Sequence, residues 1–91
     1  MKIICVCGMG IGTSILLKMN ADNALEKLGL SGEAEAADIG TAKGAASTAD
    51  LVLTSAEMAE ELEGISAPVR VINNFMDVDE IAAAISSAIE E

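Results

Sequence analysis

The chain reads as an α/β protein: a four-stranded parallel sheet with helices on both faces. Three observations predict this. Apolar runs short enough to be buried strands recur along the chain, helical spacings alternate with them, and a glycine-rich turn joins the first strand to the first helix. No linker or internal repeat interrupts the alternation, so residues 1–91 are expected to form a single domain.

Lys2 to Val6 is the first strand, apolar enough for the centre of a sheet. After the turn, helical spacing begins near Thr13 and runs to Leu28. Leu17, Ala21, Ala24, Leu25 and Leu28 fall on one face, while Lys18, Asp22, Glu26 and Lys27 mostly lie elsewhere. Gly29 is placed to end this helix as a left-handed cap. Glu33 to Ile39 alternates like a half-exposed strand, and its acidic side chains suit an edge. Gly40 to Ala49 reads as a short helix, weakened by Gly44 and by Ser47 and Thr48.

Asp50 to Thr54 is a second buried strand. Ser55 then reads as an N-cap with Glu57 in the first turn, and the helix should stop near Gly64. Pro68 opens a strand through Val69, Arg70, Val71 and Ile72, a place where a missing N–H is tolerated. Asn73 and Asn74 form a turn. Asp77 and Glu80 resemble a capping box for a last helix whose buried face is Ile81, Ile85, Ala88 and Ile89. In such an order, ligands bind beyond the carboxyl ends of the strands. That places the turn at Cys7 beside the loops at Asp38 to Gly40, Thr54 to Ser55 and Asn73 to Asn74.

Composition excludes several functions. A net charge of −10 repels nucleic acid and anionic membrane surfaces, and no basic stripe or aromatic platform offsets it. No apolar run is long enough to span a bilayer, and the first residues lack the pattern of a signal peptide. A cytoplasmic location without direct membrane insertion is the expectation. The 2 cysteines, Cys5 and Cys7, are too few for a disulfide framework, and C-x-C without histidine is a poor zinc site. Neither a metal nor a cofactor is expected. With no histidine, the chain cannot supply a Cys–His pair, a Ser–His–Asp triad or a phosphohistidine.

The chemistry concentrates in Cys7, Gly8, Met9, Gly10, Ile11, Gly12, Thr13 and Ser14. Small residues let a strand-to-helix turn close around a tetrahedral oxyanion with its N–H groups pointing inward. Cys7 stands at the lip of that cradle, where a phosphoryl group could be carried on sulfur. The dinucleotide fingerprint fails because Gly8 and Gly10 are followed by Gly12 and Thr13. The nucleotide P-loop fails because Gly12 lacks a following lysine. Cysteine phosphatases with a similar cradle place arginine where Thr13 stands, and Arg70, the single arginine, falls in a predicted strand. Three readings remain: a phosphoryl carrier, a small cysteine-dependent phosphatase, and a non-catalytic anion-binding regulatory domain. Thr13 and Ser14 either donate to the anion or only cap the helix. Met9 either covers the turn or meets a partner, and Lys18, Asn73 and Asn74 are further site or docking candidates. Cys5, inside the strand, reads as a small buried hydrophobe.

The apolar strand into Val6-Cys7-Gly8-x-Gly10-x-Gly12-Thr13-Ser14, the helix with Leu17-Lys18-Met19, and Ala49-Asp50-Leu51-Val52-Leu53 at mid-chain resemble a known family. It is the IIB component (EIIB) of the bacterial phosphoenolpyruvate-dependent sugar phosphotransferase system (PTS), in the lactose/cellobiose, galactitol and ascorbate superfamily, most similar to the ascorbate type. The resemblance implies a flavodoxin-like, low-molecular-weight-phosphatase-like three-layer sandwich. It also implies a phosphotransferase whose Cys7 takes phosphate from a phosphohistidine of EIIA and passes it to an ascorbate-like or galactitol-like sugar held by the membrane transporter EIIC. The backbone from Gly8 to Ser14 would then be the phosphate cradle.

Overall fold

The computed structural model describes residues 1–6 and 11–90, with the backbone alone for 11, 12, 46 and 90. Four strands, β1 (Lys2–Val6), β2 (Glu33–Ala37), β3 (Leu51–Thr54) and β4 (Val69–Val71), form one parallel sheet in the order β2-β1-β3-β4. The helices are α1 (Ile11–Leu28), α2 (Ile39–Ala45), α3 (Ala56–Ala59) and α4 (Val78–Glu90), with 3-10 turns at Ala46–Thr48 and Glu60–Leu62. The predicted four-stranded parallel sheet is the observed one.

Strand pleating sorts the core into two layers. Ile3, Cys5, Leu51 and Leu53 point to the face covered by α1 and α4, where they pack with Leu17, Ala21, Leu25, Ile81 and Ile85. Ile4, Val6 and Val52 point to the opposite face, against Ala42, Leu62 and Ala67. Ala21 and Ala24 are both fully buried, and their small side chains bring α1 close to the sheet. β1 is buried along Ile3 to Val6 because it has a neighbour on each side and a helical layer on each face.

Local chemistry sets the element ends. Leu25 and Glu26 carbonyls accept the Leu30 and Gly29 N–H groups, each at 3.0 Å, and Gly29 has φ 71°. This is a Schellman cap, and the positive φ makes glycine the favoured residue there. Asp50 precedes β3 rather than opening it; its carboxylate accepts the Lys2 N–H at 2.8 Å. Pro68 stands just before β4 and uses only its carbonyl, which accepts the Val52 N–H at 2.9 Å. β2 ends at Ala37, two residues earlier than expected, because Asp38 caps α2 by accepting the Thr41 N–H at 2.7 Å. That bond holds the Asp38 carboxyl below its ordinary range.

The expected helix from Ser55 to Gly64 is reduced to the short α3 and a 3-10 turn. Glu57 and Glu61 are four residues apart and Glu60 and Glu63 three apart, so like charges oppose each turn, and no basic residue stands in the last turn of either piece. Ser55 occupies the N-cap position, yet its side chain makes no capping bond. Two residues expected in the core are outside it: Leu28 is 36% and Ile89 47% exposed. Both stand at helix ends, and with Leu30 and Ser86 they line a shallow surface pocket. Ala82 joins Ile81 and Ile85 in the core.

Candidate functional site

Parallel strands send all their carboxyl ends to one edge, and that edge carries the candidate site. β1 ends at Val6, and α1 begins at Ile11. Cys7, Gly8, Met9 and Gly10 connect the two and lie outside the described residues. Ile11 and Gly12 open α1, so helix starts two residues before the expected Thr13. N–H groups in a first turn have no carbonyl four residues back to bond, and the helix dipole adds positive potential there. Such a turn can receive an anion. Thr13 is half-buried and Ser14 is buried, with Ser14 on the same helix stripe as Leu17 and Ala21.

The sheet changes direction at this point. The chain leaves β1 for α1 on one face and leaves β3 for α3 on the other, which makes β1–β3 the topological switch point. Val6 and Thr54 are paired in register at the ends of these two strands. Thr54 is fully buried, and its Oγ1 has no hydrogen-bond partner among the described residues. An unpaired buried hydroxyl costs on the order of 1–3 kcal/mol. Sequence reading placed Thr54 on the rim, but nothing in the sequence signals its unpaired hydroxyl.

The rim is firmly held where β4 enters α4. Asp77 caps α4 as expected, its Oδ1 accepting the Glu80 N–H at 3.1 Å. Glu80 does not return the bond as a capping box would. Its carboxylate instead accepts the N–H groups of Asn73 and Asn74 at 2.8 and 3.0 Å, and the Asp77 N–H goes to the Asn74 carbonyl. Asn20 on α1 donates to the Phe75 carbonyl at 2.6 Å, which ties this loop to α1. The sequence spacing fits a capping box equally well, so this grip could not be read from it. Asn73 and Asn74 therefore stand on the rim with their backbone N–H groups already engaged. Met76, 65% exposed, is beside them.

Lys18 is directed elsewhere. Its Nζ bonds Asp22 Oδ2 at 2.7 Å, and Asp22 Oδ1 accepts the Ala34 N–H at 2.9 Å, bracing α1 against β2. The bond to Asp22 raises the Lys18 pKa. Cys5 lies beneath, in the core. Burial foremost, and then the Asp22 charge, push its thiol up to about 12, against a weaker lowering by Lys18. A thiol so protonated is a poor nucleophile near neutral pH. Arg70 lies in β4, separated from β1 by β3, and its Nη1 donates to the Val69 carbonyl at 3.2 Å. Among the described residues no group of three or more His, Cys, Asp or Glu could hold a metal, and no helix is long and apolar enough to cross a membrane.

Comparison with known proteins adds a family. Residues 2–87 match the family described as "PTS system, Lactose/Cellobiose specific IIB subunit". A relative from Mycoplasma pneumoniae, the "Ascorbate-specific PTS system EIIB component", is 32% identical over 90 residues, spanning 98% of this chain and 95% of the relative. The lactose-specific IIB component domain from Streptococcus pneumoniae superimposes with a TM-score of 0.62 at 18% identity, covering 99% of this chain and 91% of that one. The Enzyme IIB subunit of a PTS system from Escherichia coli K12 superimposes with a TM-score of 0.53 at 23% identity, covering 99% and 89%. At those identities the two superpositions show the shared fold.

Proposed function

Since this chain belongs to the lactose/cellobiose-specific IIB family of the sugar phosphotransferase system and transfers phosphoryl groups in sugar uptake, we propose that Cys7 carries the phosphoryl group. The carrying observation is position. Cys7 follows Val6, the last residue of a buried central strand, and stands four residues before Ile11, where the 18-residue helix α1 begins. Converging N–H groups and the positive end of a helix favour a thiolate over a thiol.

The Cys7 thiol first loses its proton to solvent. Its thiolate then attacks the phosphorus of a phosphohistidine on the EIIA partner; the S–P bond forms as the N–P bond breaks, and the imidazole nitrogen keeps the electron pair. In the second transfer a sugar hydroxyl oxygen, held by the EIIC transporter, attacks the same phosphorus. The O–P bond forms, the S–P bond breaks, and the hydroxyl proton is released. Most of the catalytic demand in both steps is placement and stabilisation of phosphoryl oxygens. The backbone of Gly8, Met9, Gly10, Ile11 and Gly12 supplies that cradle, with Thr13 and Ser14 completing it. Arg70 lies in β4, and Thr13 stands at the position where an arginine-dependent phosphatase carries its arginine. A carrier that activates water poorly keeps its phosphate for the sugar.

This reading puts the protein in the cytoplasm, docking in turn on EIIA and on EIIC. Ascorbate is the first sugar to test, given the name of the Mycoplasma relative. Incubation with phosphorylated EIIA and intact-mass measurement tests the carrier. The wild type and Cys5→Ala are expected to gain one phosphate, and Cys7→Ser none. Equal labelling of Cys7→Ser would sink the assignment. Steady release of phosphate from aryl phosphates would favour a phosphatase instead.

A further inference from the structure

Thr54 is a polar side chain in a place where the fold otherwise puts apolar ones. It is the last residue of β3, fully buried, and its Oγ1 has no partner among the described residues. Its carbonyl accepts the Ile72 N–H at 2.8 Å, so the backbone there is engaged and the side chain alone is unmatched. Leu51, Val52 and Leu53, the rest of β3, are all apolar and buried. A hydroxyl at the end of such a strand stands unpaired only at a cost to the fold.

The neighbourhood says where a partner would come from. In register, Thr54 pairs with Val6 on one side and Val71 on the other. Val6 is the residue before Cys7, so the chain that carries the proposed phosphoryl group departs beside Thr54. The two strands also send their chains to opposite faces, which opens the switch-point crevice between their ends. Val71 offers an apolar side chain, as does Val6. We infer that the Thr54 hydroxyl is a further hydrogen-bond donor to the phosphoryl group held at Cys7. This rests on the carrier reading above. A neutral hydroxyl bonded to a charged oxygen makes a short and strong hydrogen bond. The same donor would strengthen as charge builds on the transferring oxygens, which speeds transfer rather than merely tightening binding.

The test compares rates of phosphoryl acceptance from phosphorylated EIIA for the full chain and its variants, with urea unfolding alongside. Thr54→Val keeps the shape and removes the donor. It is expected to be at least as stable as the wild type, because an unpaired buried hydroxyl is gone, yet to accept phosphate about tenfold more slowly. Thr54→Ser retains the donor and should recover most of the rate. Thr54→Ala set against Thr54→Ser provides a second pair, in which both lack the methyl group and only one has the hydroxyl. If Thr54→Val accepts phosphate at the wild-type rate, or if the Ser variant is as slow as the Ala variant, Thr54 is not a donor while the carrier reading stands. Failure of the wild type to accept phosphate on Cys7 is a different result: it removes the carrier reading, and this inference with it.

Discussion

The two helical layers of the sheet are unequal, and the candidate site belongs to the stronger one. On one face α1 and α4 are long, and their core includes Leu17, Leu25, Ile81 and Ile85, all sealed from solvent. Polar ties bind this layer further: Asp22 to the β2 backbone, Asn20 to the Phe75 carbonyl, and Lys27 to Asp79 between the two helices. On the other face α2 and α3 are short, each runs into a 3-10 turn, and their buried contribution is Ala42 and Leu62, with Ala67 added from the segment before β4. An anion cradle works by preorganised donors, so it gains from a helix that cannot shift. The thin layer carries no such demand. It tolerates the acidic run from Glu57 to Glu63 that a longer helix would not.

The largest expected effect concerns Cys5, in the thick layer. Its folded pKa of about 12 exceeds the ordinary 9.0, so the folded protein holds this proton more tightly than the unfolded chain. The stability tied to it is complete below about pH 9 and is lost as pH rises toward 12. The loss is on the order of 4 kcal/mol over that interval. Urea midpoints measured from pH 8 to 11 should therefore fall more steeply in the wild type than in Cys5→Ala. Parallel slopes would show that the thiol is not sealed as described.

Truncation of one leucine in each layer sharpens the comparison. Leu17→Ala should cost about 3–4 kcal/mol and Leu62→Ala about 2–3, since the thin layer can relax around the lost atoms more readily. Equal losses would mean that the layers are equally rigid. The smallest effect lies at two helix starts on the thin side. Asp38→Ala should destabilise measurably, because it removes the bond to the Thr41 N–H, whereas Ser55→Ala should leave the urea midpoint nearly unchanged. The depressed Asp38 pKa adds a pH signature. Its contribution is present above the ordinary carboxylate range and is lost as pH falls through the folded value, and Asp38→Ala should lack that dependence.

How much was legible in the sequence differs by layer for physical reasons. β1 and α1 were readable because an apolar run and a helical spacing agree on either side of a glycine series, and Gly29 marks the helix end. The α3 segment was overestimated because Ser55 and Glu57 look like a good helix start. Propensity does not register repulsion among four glutamates. Periodicity also placed Leu28 and Ile89 inward, since it identifies a helix face but not where the layer beneath it stops. At the site, Cys7 is singled out by the sequence alone, from its place between an apolar run and a glycine series, and it lies outside the described residues. The grip of Glu80 on Asn73 and Asn74 was not, because its spacing is shared with an ordinary capping box. Nor was the isolation of the Thr54 hydroxyl, which depends on what stands beside it in space.

Of the two thiols, Cys5 is sealed in the core, and Cys7 is the one proposed to hold the phosphoryl group. The most direct measurement is the site of the adduct, found by fragmenting the protein at neutral pH after exposure to phosphorylated EIIA. All of the phosphate is expected on Cys7, with Cys5 unmodified. Phosphate on Cys5, or on any residue other than Cys7, would contradict the account.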